Sequence, residues 1–295
     1  LRKISVFLAF GIPFVFFAVF YKIGALKVLI DSVKRGNPSF LFLFFLFYFF
    51  SYFLRALRLK LFFPKLKTDF LTVCICIHTF LNNVLPFRSG EFSLPAILKW
   101  FSGIEAGEGI GVLAGIRFLD GFALALVLLF VSVLLSNFQV IKIIFAFVGI
   151  FLFCFAVVLL FLKLFSKKIS IIEEIERNLT RTVKGKEFFA GISITVLVWI
   201  SKLIGFSFFL KSFGFKGGIF EGMFACSFGE ITSVLPIHSF AGFGTYETGT
   251  VIGLKLFGME IKEALALSFL LHSAILLTSA FLSFPAYLYL LRVKK

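Results

Sequence analysis

The sequence predicts an all-α polytopic membrane protein: about six full transmembrane helices plus two re-entrant helical hairpins in an inverted-topology repeat. Three observations carry this. The chain is 60% hydrophobic, with 48 Phe among its 295 residues, more apolar surface than a soluble domain of this length can hide. Its apolar runs are long enough to cross about 30 Å of hydrocarbon, which takes about 20 residues of helix. Two further apolar stretches are broken near their middles by Asn, Pro, Gly and charged residues. The runs extend from end to end, so residues 1–295 read as a single membrane domain.

In chain order, the first run is Ile4–Tyr21. Arg2 and Lys3 precede it as they would a signal peptide, but Tyr21 and Lys22 follow where a small-residue cleavage site would stand, so it reads as an uncleaved anchor. The second is Phe40–Leu57, whose stretch Phe40–Leu54 is nearly unbroken Phe, Leu and Tyr, a composition suited to lipid on much of the helix circumference. Ile110–Leu135 and Ile141–Leu162 are the third and fourth, Phe188–Leu210 and Ala264–Leu291 the fifth and sixth. Residues 166–187 alternate Glu173, Glu174, Glu176 and Arg177 with Ile and Leu, the pattern of an amphipathic linker helix lying in the membrane interface.

Net charge is +15. On a chain this apolar the excess follows the positive-inside rule rather than signalling nucleic acid. Arg55, Arg58, Lys60, Lys65 and Lys67 follow the second span, Lys163 to Lys186 surround the linker, and Arg292, Lys294 and Lys295 end the chain. All are assigned to the cytoplasm with Arg2 and Lys3, which puts both termini on the cytoplasmic face of the plasma membrane. Lys22, Lys27, Lys34 and Arg35 would then lie outside. Between Lys67 and Lys163 stand two full spans and the first broken stretch, residues 70–100. If that stretch crossed, Lys163 would fall outside, so it should enter and leave on the cytoplasmic side. The same count makes residues 219–257 enter and leave from the outside. Non-helical backbone at such depth is tolerated only inside protein or beside water.

The two halves also match. Val84-Leu85-Pro86 parallels Val234-Leu235-Pro236, and Gly103-x-Glu105-x-x-Glu108 parallels Gly258-x-Glu260-x-x-Glu263. The first repeat is residues 40–135 and the second residues 188–291; in their register Arg117 falls on His272. Inverted repeats with discontinuous helices hold their substrate near the midplane, where the broken ends converge.

Polar side chains at that depth are the candidate site. Arg88 marks the first break, with Glu91 its nearest acid. Arg117 and Asp120 are one helical turn apart, either as an internal ion pair or as a substrate contact. Glu91 and Glu247 begin the returning half-helices, each two residues after a hydroxyl (Ser89, Thr245). They read either as first-turn acids beside a capping hydroxyl or as a proton, cation or headgroup site. His272 and His238 fit either packed neutral rings or titrating contacts, and His78 reads as packing. Glu230 is a secondary candidate. Lys202 reads as snorkelling. Asn82, Asn83, Thr232 and Ser233 suit the free backbone groups of the breaks.

Cys74, Cys76, Cys154 and Cys226 lie in apolar runs without metal or redox spacing, so no metal or cofactor is expected. No phosphate loop, nucleophile elbow or zinc-protease helix is present, and no catalytic residue is assigned.

Asn82-x-x-Leu85-Pro86-x-Arg88-x-Gly90-Glu91, followed by Arg117-x-x-Asp120 and a Gly/Glu-rich second break, resembles the transmembrane, flippase-like domain of lysylphosphatidylglycerol synthases over nearly the whole chain. The chain departs from the usual family pattern at Ser239-Phe240-Ala241-Gly242, where relatives carry Pro-Gly-Gly, and at His272, where they carry Arg. The resemblance implies transbilayer movement of an anionic or aminoacylated phospholipid. The soluble synthase domain is missing from this sequence, so it implies transport without synthesis. Membrane lipids are then the partners, with room for a homo-oligomer or a separate lipid-synthesising partner. Arg88, Arg117 and His272 suit the phosphate, with Glu91, Asp120 and Glu247 completing the site and Asn82, Glu230 and His238 secondary to it. Carriage of a polyprenyl-phosphate or glycan-lipid intermediate is an alternative. So, from another class, is a membrane-embedded lipid-modifying transferase with Glu91 or Glu247 as base.

Overall fold

The computed structural model describes residues 2–136, 138–167, 169–234 and 239–293. Among these residues the secondary structure is entirely helical, without a strand. That is what lipid demands of an open chain, because a helix satisfies its backbone groups internally. The helices are α1 (Arg2–Lys22), α2 (Ala25–Lys34), α3 (Pro38–Phe62), α4 (Thr68–Val84), α5 (Ser93–Ser102), α6 (Ala106–Leu134), α7 (Phe138–Ser166), α8 (Ser170–Thr182), α9 (Gly185–Ser212), α10 (Ile219–Val234), α11 (Thr245–Lys255) and α12 (Ile261–Val293). Short 3₁₀ turns, Pro86–Phe92 and Phe240–Gly242, join α4 to α5 and α10 to α11. The order long helix, two half-helices, long helix therefore occurs twice, as α3–α6 and as α9–α12.

Each of the six expected runs is a helix. By length and composition α3, α6, α9 and α12 can each cross a membrane. α1 becomes a fifth candidate when joined to α2 across a 78° bend. The described apolar part of α7, Phe151–Ser166, is shorter. The segment after Lys22, between the first and second runs, is the helix α2. Gly24 makes the bend at φ 78°, in the left-handed region open to glycine.

The chain divides into two compact units. The first comprises Leu1–Phe49, Thr79–Glu91 and Ser201–Ser283. Within it α3 and α9 run antiparallel: Asn37 bonds Ser212 at one end, and Ser201 Oγ donates to the Phe47 carbonyl at 2.7 Å. Gly205 lets the backbones close, since a Cβ there would sit 3.2 Å from the Phe44 carbonyl oxygen. α10 and α11 form a tight antiparallel hairpin. Gly253 faces the backbone of Ala225, Gly249 that of Phe228, and Gly229 the side chains of Tyr246 and Thr250. Small residues let helices approach where lipid supplies no hydrophobic drive for association. The α1 rings Phe16, Phe17 and Phe20 surround Phe269 of α12.

The second unit comprises Phe50–His78, Phe92–Ile200 and Phe284–Lys295. Here α8 packs on a stripe of α6: Gly107 meets Glu174, Gly111 meets Ile175 and Asn178, and Gly115 meets Thr182. The four-residue step keeps the three glycines on one helix face. On α6, Gly121 and Phe118 receive rings of α7, with Phe118 stacked on Phe155 at 4.0 Å between centroids.

Candidate functional site

The first unit brings both chain breaks together with the charged residues beside them. At the first break, Phe87 and Arg88 both adopt left-handed backbone (φ 55°). For residues with a Cβ this costs on the order of 1–2 kcal/mol each. Such strain persists where surrounding contacts fix it, and it clusters at functional sites. Gly90 is buried, and a Cβ there would strike the backbone of Leu81 and Asn82. The turn therefore folds flat against the end of α4.

This conformation turns the Arg88 side chain toward two partners. Its Nη2 and Nε donate to Glu91 Oε1 at 2.5 and 3.2 Å, and its Nη1 donates to the Ser233 carbonyl of α10 at 2.9 Å. Ser89 does not cap the returning helix; its hydroxyl donates to the Pro86 carbonyl. Nor do the asparagines satisfy the break as expected. Asn82 Oδ1 and Asn83 Nδ2 are buried without a hydrogen-bond partner among the described residues.

At the second break Ala241 is left-handed (φ 51°), and Gly244, at φ 86°, precedes α11. Leu235–His238 lie outside the described residues, so His238 and the Pro236 tip have no structural account. Glu247 is a first-turn acid that also pairs with a histidine of α12. Its Oε2 accepts the Gly244 N–H at 2.7 Å, capping α11, and its Oε1 meets His272 Nδ1 at 2.7 Å. Thr245, the expected capping hydroxyl, donates back to the Gly242 carbonyl instead. Glu247 is fully buried and His272 is 4% exposed. Tyr246 stacks on the His272 ring at 4.6 Å, and its hydroxyl lies 3.5 Å from Glu230 Oε1. Glu230 Oε2 in turn accepts from Lys202 Nζ at 2.6 Å. Lys202 does not snorkel. It is buried on the α9 face that carries Val198, Phe206 and Phe209, because Glu230 offers its charge a partner at that depth.

The second unit holds a polar network of its own residues. Asp120 accepts from Arg117 Nη1 at 3.0 Å, the internal pair that is one of the two readings of these residues, and also from Arg58 Nη1 at 2.5 Å. Arg58 also donates to Thr195. Arg117 Nη2 lies 3.0 Å from His78 Nε2. A guanidinium only donates, so Nε2 accepts and Nδ1 carries the proton toward Ser93 Oγ, 3.0 Å away. His78 is thus a neutral connector between α4, α5 and α6.

Arg58, His78 and Lys202 were not read from the sequence as members of these networks. Arg58 sat in a run of basic residues and read as one more cytoplasmic charge. Its helical spacing was the available signal, since Ser51, Leu54 and Arg58 share one buried face of α3. Arg117 and His272, which the sequence match of the two halves aligns, have comparable partners. Each stands on a long helix and bonds a polar residue of the hairpin before it, His78 and Glu247 respectively.

Away from these networks, the second unit has a cavity of ≈ 670 Å³ lined by Lys99, Glu105, Glu173, Glu174 and Arg177 among others. Partial burial, then the neighbouring Glu105 carboxylate, push the Glu174 carboxyl above its ordinary value.

Among the described residues no cluster of His, Cys, Asp and Glu has the makings of a metal site. Compared with known protein families, residues 4–283 match the model described as lysylphosphatidylglycerol synthase TM region. No curated protein matches the chain.

Proposed function

Because the chain belongs to the lysylphosphatidylglycerol synthase TM region family, we propose that it moves an anionic or aminoacylated phospholipid from the inner to the outer leaflet of the plasma membrane without altering it chemically. The observation that carries this reading is Arg88. It sits on strained backbone at a helix break, with its guanidinium shared between a carboxylate and a backbone carbonyl. Both acceptors can be exchanged for phosphate oxygens, for which a planar guanidinium is the best-suited donor.

In this reading α1, α3, α6, α7, α9 and α12 cross the membrane. The α4–α5 and α10–α11 hairpins dip in from opposite faces as an inverted repeat, with both termini cytoplasmic. The headgroup passes the turns while its acyl chains stay in lipid. Arg88 takes the phosphate. Glu91, released from Arg88, meets any ammonium that the headgroup carries. Asn82, whose buried Oδ1 lacks a partner, offers an acceptor at the same turn. Glu247, His272 and Glu230 form the polar lining from the second break, and Arg117 with Asp120 serves the second unit.

Reconstitution into vesicles tests this. A headgroup-labelled phosphatidylglycerol should change leaflet faster with the protein than without it, and should keep its mass. A change of mass would instead support the transferase reading, and no change of leaflet would reject transport.

A further inference from the structure

Building on that reading of lipid movement, we propose that headgroup transit is coupled to a proton, and that the buried His272–Glu247 pair is the proton's binding site.

The geometry fixes where a proton can go. A carboxylate only accepts, so Glu247 Oε1, 2.7 Å from His272 Nδ1, requires a proton on Nδ1. Nε2 is then the atom that gains or loses the exchangeable proton. Among the described residues, the charged and titratable groups connected to the pair through Tyr246 of α11 are Glu230 and Cys226 of α10, Lys202 of α9 and Tyr48 of α3. The Phe243 ring covers a further side at 5.1 Å.

Charge accounting gives the coupling. With Lys202 positive and Glu230 and Glu247 negative, the network is neutral when His272 is an imidazolium. It carries one net negative charge when His272 is neutral. A net charge away from water is costly, and a negative one repels a phosphodiester approaching the nearby break. The contact route is short: Arg88 bonds the Ser233 carbonyl, and Ser233 Oγ donates to the Glu230 carbonyl on the same turn of α10. The protonated network therefore admits an anionic headgroup and the deprotonated one excludes it. Proton and lipid move together, with no net charge transferred.

The experiment uses vesicles holding a pH-sensitive dye and headgroup-labelled phosphatidylglycerol. With one-to-one coupling, a gradient of about one pH unit should drive a lipid asymmetry of up to about tenfold. Protons should enter with the lipid, and a valinomycin-set membrane potential should have no effect. Glu247→Gln and His272→Gln should abolish the gradient response. His272→Arg, which keeps the positive charge and so protects folding, should lose the pH dependence of whatever lipid movement it retains. Lipid exchange without proton movement overturns the coupling and leaves transport standing. So does proton movement that survives in His272→Arg. A protein that moves no lipid under any condition sinks the transport reading, and the coupling with it.

Discussion

The Arg88 guanidinium, on the turn of the first hairpin, donates to the Ser233 carbonyl near the end of α10, 2.9 Å away. Two segments 145 residues apart in sequence thus share one hydrogen bond at their breaks. An arginine held by one neutral carbonyl and one carboxylate is positioned, yet both partners can be exchanged. Replacing Arg88 with Ala should therefore reduce lipid movement far more than it reduces folding. A charge-assisted bond contributes about 1.5–3 kcal/mol, on the order of ten- to a hundredfold in binding. Lipid movement at the wild-type rate with normal expression would remove Arg88 from the site.

Gly90→Ala probes the flat turn itself. The added Cβ would meet the backbone of Leu81 and Asn82, and backbone cannot rotate out of the way as a side chain can. Overpacking of this kind costs about 1–3 kcal/mol. A lowered melting temperature in detergent is the expected result, and an unchanged one would mean that the turn opens freely.

Asp120 is the shared acceptor of Arg58 and Arg117. Asp120→Leu alone leaves the Arg58 charge buried without its counterion, a change that costs about 3–5 kcal/mol. Arg58→Met combined with Asp120→Leu should recover most of that loss, since removing both charges of a buried pair is often neutral. Thermal unfolding of the two single variants and the double completes the cycle. Simple additivity would show that the pair is not coupled.

Glu174 faces the Gly107 end of the α6 stripe. Its carboxyl is raised in the fold by burial and then by Glu105, so protonation favours the folded form. That contribution is fully present below the unfolded value and is lost as pH rises through the folded one. Glu174→Gln mimics the protonated state. It should raise the melting temperature at neutral pH, with the gain shrinking as the pH is lowered into the acid range. A gain that is the same at every pH would place its cause elsewhere.

The proposed re-entry of the two hairpins makes a topological prediction. Single cysteines introduced near Lys67 and near Trp100 should be labelled from one face, and those near Gly217 and Gly258 from the other. Cys154, the exposed native thiol, would be removed first. Labelling of the Lys67 and Trp100 flanks from opposite faces would mean that the first hairpin crosses.

The sequence by itself determined that this is a helical membrane protein, where its long helices run and where two of its segments break. Those features follow from local composition: bilayer thickness sets the length of an apolar helix, and Pro, Gly and Asn cannot continue one at low cost. It also picked out Arg88, Arg117, Asp120, Glu247 and His272, because charge in an apolar run is conspicuous. Only the tertiary structure decided who holds whom. Arg58 looked like one more basic residue on a cytoplasmic flank, and Lys202 like a snorkelling one. Each is buried because an acid from a distant helix, Asp120 or Glu230, meets it there. Glu247 turned out to cap its own helix and to pair with His272 across 25 residues. A buried charge is stable only against its partner, and partners so far apart in sequence meet only once the helices have packed.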